Sequence, residues 1–206
     1  METKDYLQIL VEEIHSVVVA TVDDNGLPAT RVIDIMLHDD ESVYFLTAKG
    51  KAFYKQLTDK GYISLSGITA GKDSMAKKSI SIAGSVRNIG SETLDKIFEV
   101  NPYMATIYPT VESRTALEVF CLYKGQGEYF DLTTKPITRA SFALGESNLQ
   151  KFGYLITDDC TACGKCVENC PTNCIEESKP YVIHQENCLH CGNCKEVCQE
   201  EAVIKI

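Results

Sequence analysis

Eight cysteines near the C-terminus form one pattern written twice, and a segment this rich in thiols has little material for an ordinary apolar core. The first copy is Cys160-x-x-Cys163-x-x-Cys166-x-x-x-Cys170-Pro171, and the second is Cys188-x-x-Cys191-x-x-Cys194-x-x-x-Cys198-Gln199. Three thiolates two residues apart wrap a tight loop around three corners of an iron–sulfur cube. A fourth, after a short helical turn, points away toward a second cube. Zinc needs four ligands on a tetrahedron and usually pairs C-x-x-C units across a longer gap, so a third cysteine this close suits a cube better. A disulfide framework needs an oxidising compartment. The charged start, Met1-Glu2-Thr3-Lys4-Asp5, shows no secretory apolar region.

The segment resembles the bacterial-type two-cluster 4Fe–4S ferredoxins. That resemblance implies a first cluster on Cys160, Cys163, Cys166 and Cys198, and a second on Cys188, Cys191, Cys194 and Cys170. The family usually has proline after both fourth cysteines; here the second copy has Gln199, which loosens a turn without removing a ligand. Cys174, four residues after Cys170, reads either as a small buried hydrophobe or as an alternative ligand or redox-active thiol. His190, beside Cys191, reads as a loop side chain or as a hydrogen-bonding partner of a cluster.

Composition divides the chain. Of ten cysteines, only Cys121 lies in the first 150 residues. The expected organisation is a domain over 1–147, a short polar linker over 148–153, and a cluster domain over 154–206 in which metal replaces an apolar core as the organising element. The net charge is −9, so there is no basic footprint for nucleic acid. An acidic surface suits docking to basic patches on redox partners, or is simply a solvated surface. No apolar run approaches a membrane span, and a reducing cytoplasm is the expected compartment.

The N-terminal part alternates strand and turn signals. Residues 5–15 are predicted to be an amphipathic helix with Tyr6, Ile9, Leu10 and Ile14 on one side. Ser16–Val22 is β-branched, Asn25-Gly26 is a hairpin signal, and 28–37 is the return strand. Strands at 43–47, 62–69 and 80–88 follow, with helices at Ala52–Lys60 and at 91–100, the latter capped by Ser91. Segments 117–124 and 128–132 are predicted to form a hairpin around Gly125-Gln126-Gly127. The fold class is mainly β with α: a meander of at least six or seven strands, which favours a barrel over a parallel α/β sheet. No Gly-rich dinucleotide or nucleotide loop is present.

The order of helix, Val17-Val18-Val19-Ala20-Thr21, Asn25-Gly26, Pro28-Ala29-Thr30-Arg31-Val32, Tyr44-Phe45-Leu46-Thr47-Ala48-Lys49-Gly50-Lys51 and Gln56-Leu57 resembles the pyridoxamine 5′-phosphate oxidase-like split barrels. The resemblance, over about 5–145, implies an FMN-binding split barrel and a homodimer with flavin at the subunit interface. It places Arg31, Val32, Ile33 and Asp34 along the flavin ring, partly through backbone groups. Thr47, Ala48, Lys49 and Lys51 fall around its phosphate, and Ser79 at a further flavin-facing position. A Lys-Gly-Lys turn before a helix supplies the cations and N–H donors that a phosphate needs. A solvated turn is the alternative for Lys49 and Lys51, and a surface ion pair for Arg31.

There are departures. The chain has no Trp, and the family's Ser-Arg-Lys triplet falls on Lys51-Ala52-Phe53, so oxidation of pyridoxamine phosphate is not expected. The expected function is an FMN- and iron–sulfur-dependent oxidoreductase, flavin-reductase-like, that passes electrons to a small molecule or partner protein, with no catalytic side chain named. The alternatives are a non-enzymatic carrier or sensor, or a barrel that holds haem or F420.

Overall fold

Alternation of apolar and polar side chains builds the first sheet. The computed structural model describes residues 1–206. Its N-terminal elements are α1 (Thr3–Gln8), β1 (Ser16–Val22), β2 (Pro28–Asp34), β3 (Leu37–His38), β4 (Val43–Ala48), α2 (Ala52–Lys60), β5 (Tyr62–Ile68) and β6 (Lys78–Gly90). Three short helices follow, α3 (Leu94–Val100), α4 (Met104–Ile107) and α5 (Val111–Arg114), and then β7 (Leu117–Asp131) and β8 (Thr138–Leu144). The sheet order is β2-β1-β5-β6-β7-β4-β3, with β8 also paired to β7.

On β1, Val17, Val19 and Thr21 face inward, while Val18 and Val22 face out. The interior is filled by Phe45, Phe120, Ile63, Leu65, Ile80, Ile82 and Leu122, all nearly or fully buried. β7 is buried on both faces because Leu117 and Val119 pack against Leu94, Ile97 and Phe98 of α3. Asn101, buried after α3, donates from Nδ2 to the carbonyls of Met36 (2.9 Å) and Ile97 (3.0 Å), so its polar group is satisfied. Truncating one of the large interior rings, such as Phe120, is expected to cost about 3–5 kcal/mol.

The architecture is a mostly β split barrel followed by a small ferredoxin-like domain, as the sequence predicts. Four local expectations need correction. The first helix starts at Thr3 and winds into a π-helical turn over Ile9–Ile14, ending at His15, whose N–H reaches the Leu10 carbonyl. The strand expected over 28–37 stops at Asp34: Ile35 turns its N–H to the His15 carbonyl and buries its side chain, and β3 restarts at Leu37. Ser91 is not a helix cap; its carbonyl closes a turn with the N–H of Leu94, and Thr93 takes the N-cap position without a side-chain bond.

The fourth correction concerns Gly125 and Gly127, which make no hairpin. They lie within the continuous strand β7. A Cβ on Gly125 would stand 2.4 Å from the Ala83 carbonyl oxygen, and one on Gly127 would stand 2.2 Å from the Phe142 ring. These glycines permit close approach of neighbours, not a reversal of the chain.

The chain divides into two compact units. One comprises Met1–Lys72, Ser79–Glu128 and Ser141–Asn148; the other comprises Asp73–Lys78, Tyr129–Ala140 and Leu149–Ile206. In the second, β9 (Tyr154–Ile156) pairs with β12 (Val203–Lys205), and β10 (Ile175–Glu176) with β11 (Val182–Ile183). Two single-turn helices, α6 (Lys165–Glu168) and α7 (Asn193–Glu196), complete it.

Candidate functional site

In the second unit, backbone conformation repeats with the cysteines. Ala162 and His190, each preceding the second cysteine of its copy, take φ 57° and 56°. Gly164 and Gly192, before α6 and α7, take 83° and 84°, and Asn173 and Glu201 take 53° and 52°. Left-handed residues at matching places curl both loops inward, and the N–H groups of Ala162 and His190 each point at a cysteine sulfur, Cys160 or Cys188, at 3.4 Å. Such strain persists where the surroundings over-determine it and often marks a functional site.

The thiols gather in two cavities. One is lined by Cys160, Cys163, Cys166 and Cys198, with Ile156, Tyr181 and Val203. The other is lined by Cys170, Cys188, Cys191 and Cys194, with Cys174, Ile175 and Ile183. Each cavity thus draws three cysteines from one copy and the fourth from the other. All ten cysteines are free thiols, and no three ligand-type side chains converge as a single metal ion requires. Four thiols spread around an apolar-walled cavity fit a polynuclear cluster.

Electrostatics divide the thiols. Burial pushes Cys194 up to about 11 and also raises Cys166. Burial opposes ionisation of Cys170 too, but the N–H groups of Cys174 and Thr172 and the neighbouring hydroxyl outweigh it, and its thiol is lowered. Thiols that resist ionisation without metal are deprotonated on coordination. Neighbours that the sequence does not point to complete this unit: Tyr181 donates to the Ala162 carbonyl (3.2 Å), Asn187 Nδ2 to the Ile137 carbonyl (2.8 Å), and Arg139 Nη1 lies 3.5 Å from the Cys188 carbonyl oxygen.

In the barrel, β2 separates its four consecutive candidates by alternation. Val32 (68% exposed) and Asp34 lie on the outer face; Arg31 and Ile33 lie toward the barrel. Arg31 donates to Thr21 Oγ1 (2.5 Å) and Gln56 Oε1 (2.9 Å), and its guanidinium lies 4.4 Å from the Phe53 ring centroid, which brings it against α2. Asp34 accepts from Ser16 Oγ (2.6 Å) and the Tyr103 hydroxyl (2.7 Å), and His15 Nε2 stands 3.6 Å away. Burial opposes the Asp34 charge, yet these partners hold its carboxyl below the usual range; burial and Asp34 together raise the Tyr103 phenol. Ser79, at the start of β6, faces Ile68 across the sheet.

Thr47, Ala48, Lys49 and Lys51 share the turn between β4 and α2. Thr47 is buried, and its Oγ1 has no hydrogen-bond partner. Lys51 caps α2 without a side-chain bond, so the first N–H groups of that helix keep donor capacity. Lys49 pairs with Glu118 at 3.1 Å; Glu118 also accepts from Asn88 (2.5 Å) and Tyr54 (2.7 Å), which hold its carboxyl down to about 2. An orphaned hydroxyl, an uncapped helix start and the unpaired Lys51 fit a phosphate group. Tyr103, Glu118 and Asn88 carry no sequence signal, since tertiary packing alone brings them to these positions.

The sequence profile of the pyridoxamine 5′-phosphate oxidase family matches residues 3–125, and that of a 4Fe-4S dicluster domain matches residues 159–202. The chain therefore belongs to the pyridoxamine 5′-phosphate oxidase family, with a C-terminal 4Fe–4S ferredoxin domain. Solved structures share the barrel fold. A NimC/NimA family protein from Clostridium acetobutylicum is 18% identical with a TM-score of 0.56, over 70% of this chain and 95% of that one. A protein related to general stress protein 26, also from Clostridium acetobutylicum, is 17% identical with a TM-score of 0.51, over 67% and 92%. A heme binding protein from Mycobacterium smegmatis is 11% identical with a TM-score of 0.53, over 68% and 57%. Among curated proteins, none matches.

Proposed function

We propose that this chain is a redox protein in which FMN, held by the barrel, exchanges electrons with two 4Fe–4S clusters to reduce a small-molecule or protein acceptor. The observation that carries the reading is the pair of thiol-lined cavities, each completed by a cysteine from the other copy. Cys160, Cys163, Cys166 and Cys198 hold one cluster (cluster I); Cys170, Cys188, Cys191 and Cys194 hold the other (cluster II). Thr47, Lys51 and the α2 N–H groups receive the flavin phosphate, Arg31 adds positive charge under α2, and Val32, Asp34 and Ser79 present the outer face. Lys49 reaches the phosphate only by leaving Glu118. A flavin stores one or two electrons and a cluster moves one, so together they link one-electron carriers to two-electron substrates. No side chain needs to act as acid or base.

The outer face of β2, β1 and β5 exposes Val32 beside Val18, with Val22, Tyr62 and Ile68. Such a patch suits an isologous homodimer. No helix is long and apolar enough to cross a membrane, and unpaired thiols suit a reducing cytoplasm.

The test is cofactor content of protein purified without oxygen. The reading expects about eight irons, four per cluster, with matching sulfide and one acid-released FMN per chain. Iron and sulfide without flavin would overturn the barrel assignment, and a haem spectrum would replace it.

A further inference from the structure

The cysteine repeat makes the two cavities near-copies that differ at Thr161 and Leu189, at Lys165 and Asn193, and at two places beside the fourth thiol of each. Cys170 and Cys198 occupy matching positions 28 residues apart. By the same offset Thr172 matches Glu200, and Cys174 matches Ala202. Cys174 Sγ lies 3.5 Å from Cys170 Sγ, and Thr172 Oγ1 lies 3.8 Å from the same sulfur. Cys174 is 4% exposed and packs with Ile175 and Ile183, so no water competes for its S–H. At the positions beside Cys198 the matching cavity has no such donors: buried Ala202 has no polar atom on its side chain, and Glu200 brings a carboxylate to the lining.

Resting on the cluster reading above, we propose that the Cys174 thiol donates a hydrogen bond to the Cys170 sulfur and sets cluster II at a higher reduction potential than cluster I. Cluster II then takes the first electron. The physical cause is charge. A reduced cluster places extra negative charge on its thiolate sulfurs, which a donor stabilises and a nearby carboxylate opposes; hydrogen bonding to the sulfurs is one of the levers on cluster potential. The two departures beside the fourth thiols, Cys174 for Ala202 and Thr172 for Glu200, act in the same direction and outweigh Lys165, which stands where the other cavity has Asn193.

The test is an anaerobic redox titration of the full chain followed by electron paramagnetic resonance, with iron and sulfide counted in each sample. Two one-electron steps are expected. In Cys174→Ala the higher step falls, so that at a fixed poise near it the reduced-to-oxidised ratio drops about tenfold, or about 59 mV for one electron. The lower step stays in place and iron content is unchanged. Cys174→Ser keeps a donor and recovers most of the shift, and Glu200→Gln, at an exposed position, raises only the lower step. Cys174→Ala that moves neither step, moves the lower one, or loses iron would overturn the proposal, the last by making Cys174 a ligand. A parent chain free of iron and sulfide would defeat the cluster reading itself, before any variant is compared.

Discussion

Replacing Gly125 with alanine should loosen the barrel where β6 and β7 touch. Gly84 and Gly125 meet back to back. A Cβ on Gly125 would lie 2.4 Å from the Ala83 carbonyl oxygen and 2.8 Å from the Gly84 Cα; one on Gly84 would lie 2.3 Å from the Lys124 carbonyl oxygen. The obstructing atoms are backbone, so no side chain can swing aside. Restoring ordinary contact requires the strands to part by about 1 Å, which overpacking of this kind makes costly by about 1–3 kcal/mol. Weakening two ladder hydrogen bonds adds about 1 kcal/mol each. Alanine returns about 0.4–1 kcal/mol by restricting the unfolded chain. The net is a loss of about 2–4 kcal/mol, read as a fall of about 4–16 °C in melting temperature for a chain of this size. Far-UV circular dichroism of Gly125→Ala measures it, with Gly50→Ala as control, because a Cβ there meets nothing within 4 Å. A Gly125→Ala melt indistinguishable from the control would refute the close-approach argument.

Glu118 is held down to about 2 from the ordinary glutamate value of about 4.5, so its contribution is present above about pH 4.5 and is lost as pH falls toward 2. Discounted for solvent, that is about 1 kcal/mol; Glu118→Gln should flatten acid unfolding over that window, and an unchanged profile would count against it. Val32→Asp, on the exposed face, should convert a dimer to a monomer in light scattering with the fold retained; a dimer that persists would move the interface elsewhere. Tyr103→Phe removes the hydroxyl donated to Asp34 and should cost about 1 kcal/mol while raising the Asp34 carboxyl, which carbon-detected NMR titration would show.

The strands and the thiol loops were legible because their signals are local. β1 buries Val17 and Val19 by alternation, and the cysteine spacing encodes the loop geometry that Ala162, Gly164, His190 and Gly192 then adopt. The Gly125–Gly127 segment was misread because glycine serves both turns and close contacts, and only the packed neighbours Ala83 and Phe142 decide between them. Lys49 reads in sequence as a phosphate ligand or a solvated turn residue; its partner Glu118 lies on β7, brought there by β4–β7 pairing with Thr47 opposite Glu118. The proximity of Arg139 to Cys188 could not be read at all, since it depends on where Tyr129–Ala140 packs.

The most direct test of the central claim is anaerobic single turnover, in which the clusters of the purified holoprotein are photoreduced and the iron–sulfur and flavin absorbances are followed together. The account predicts that the clusters reoxidise as the flavin bleaches, at a rate independent of protein concentration. Reduced clusters that persist beside an oxidised flavin would contradict it.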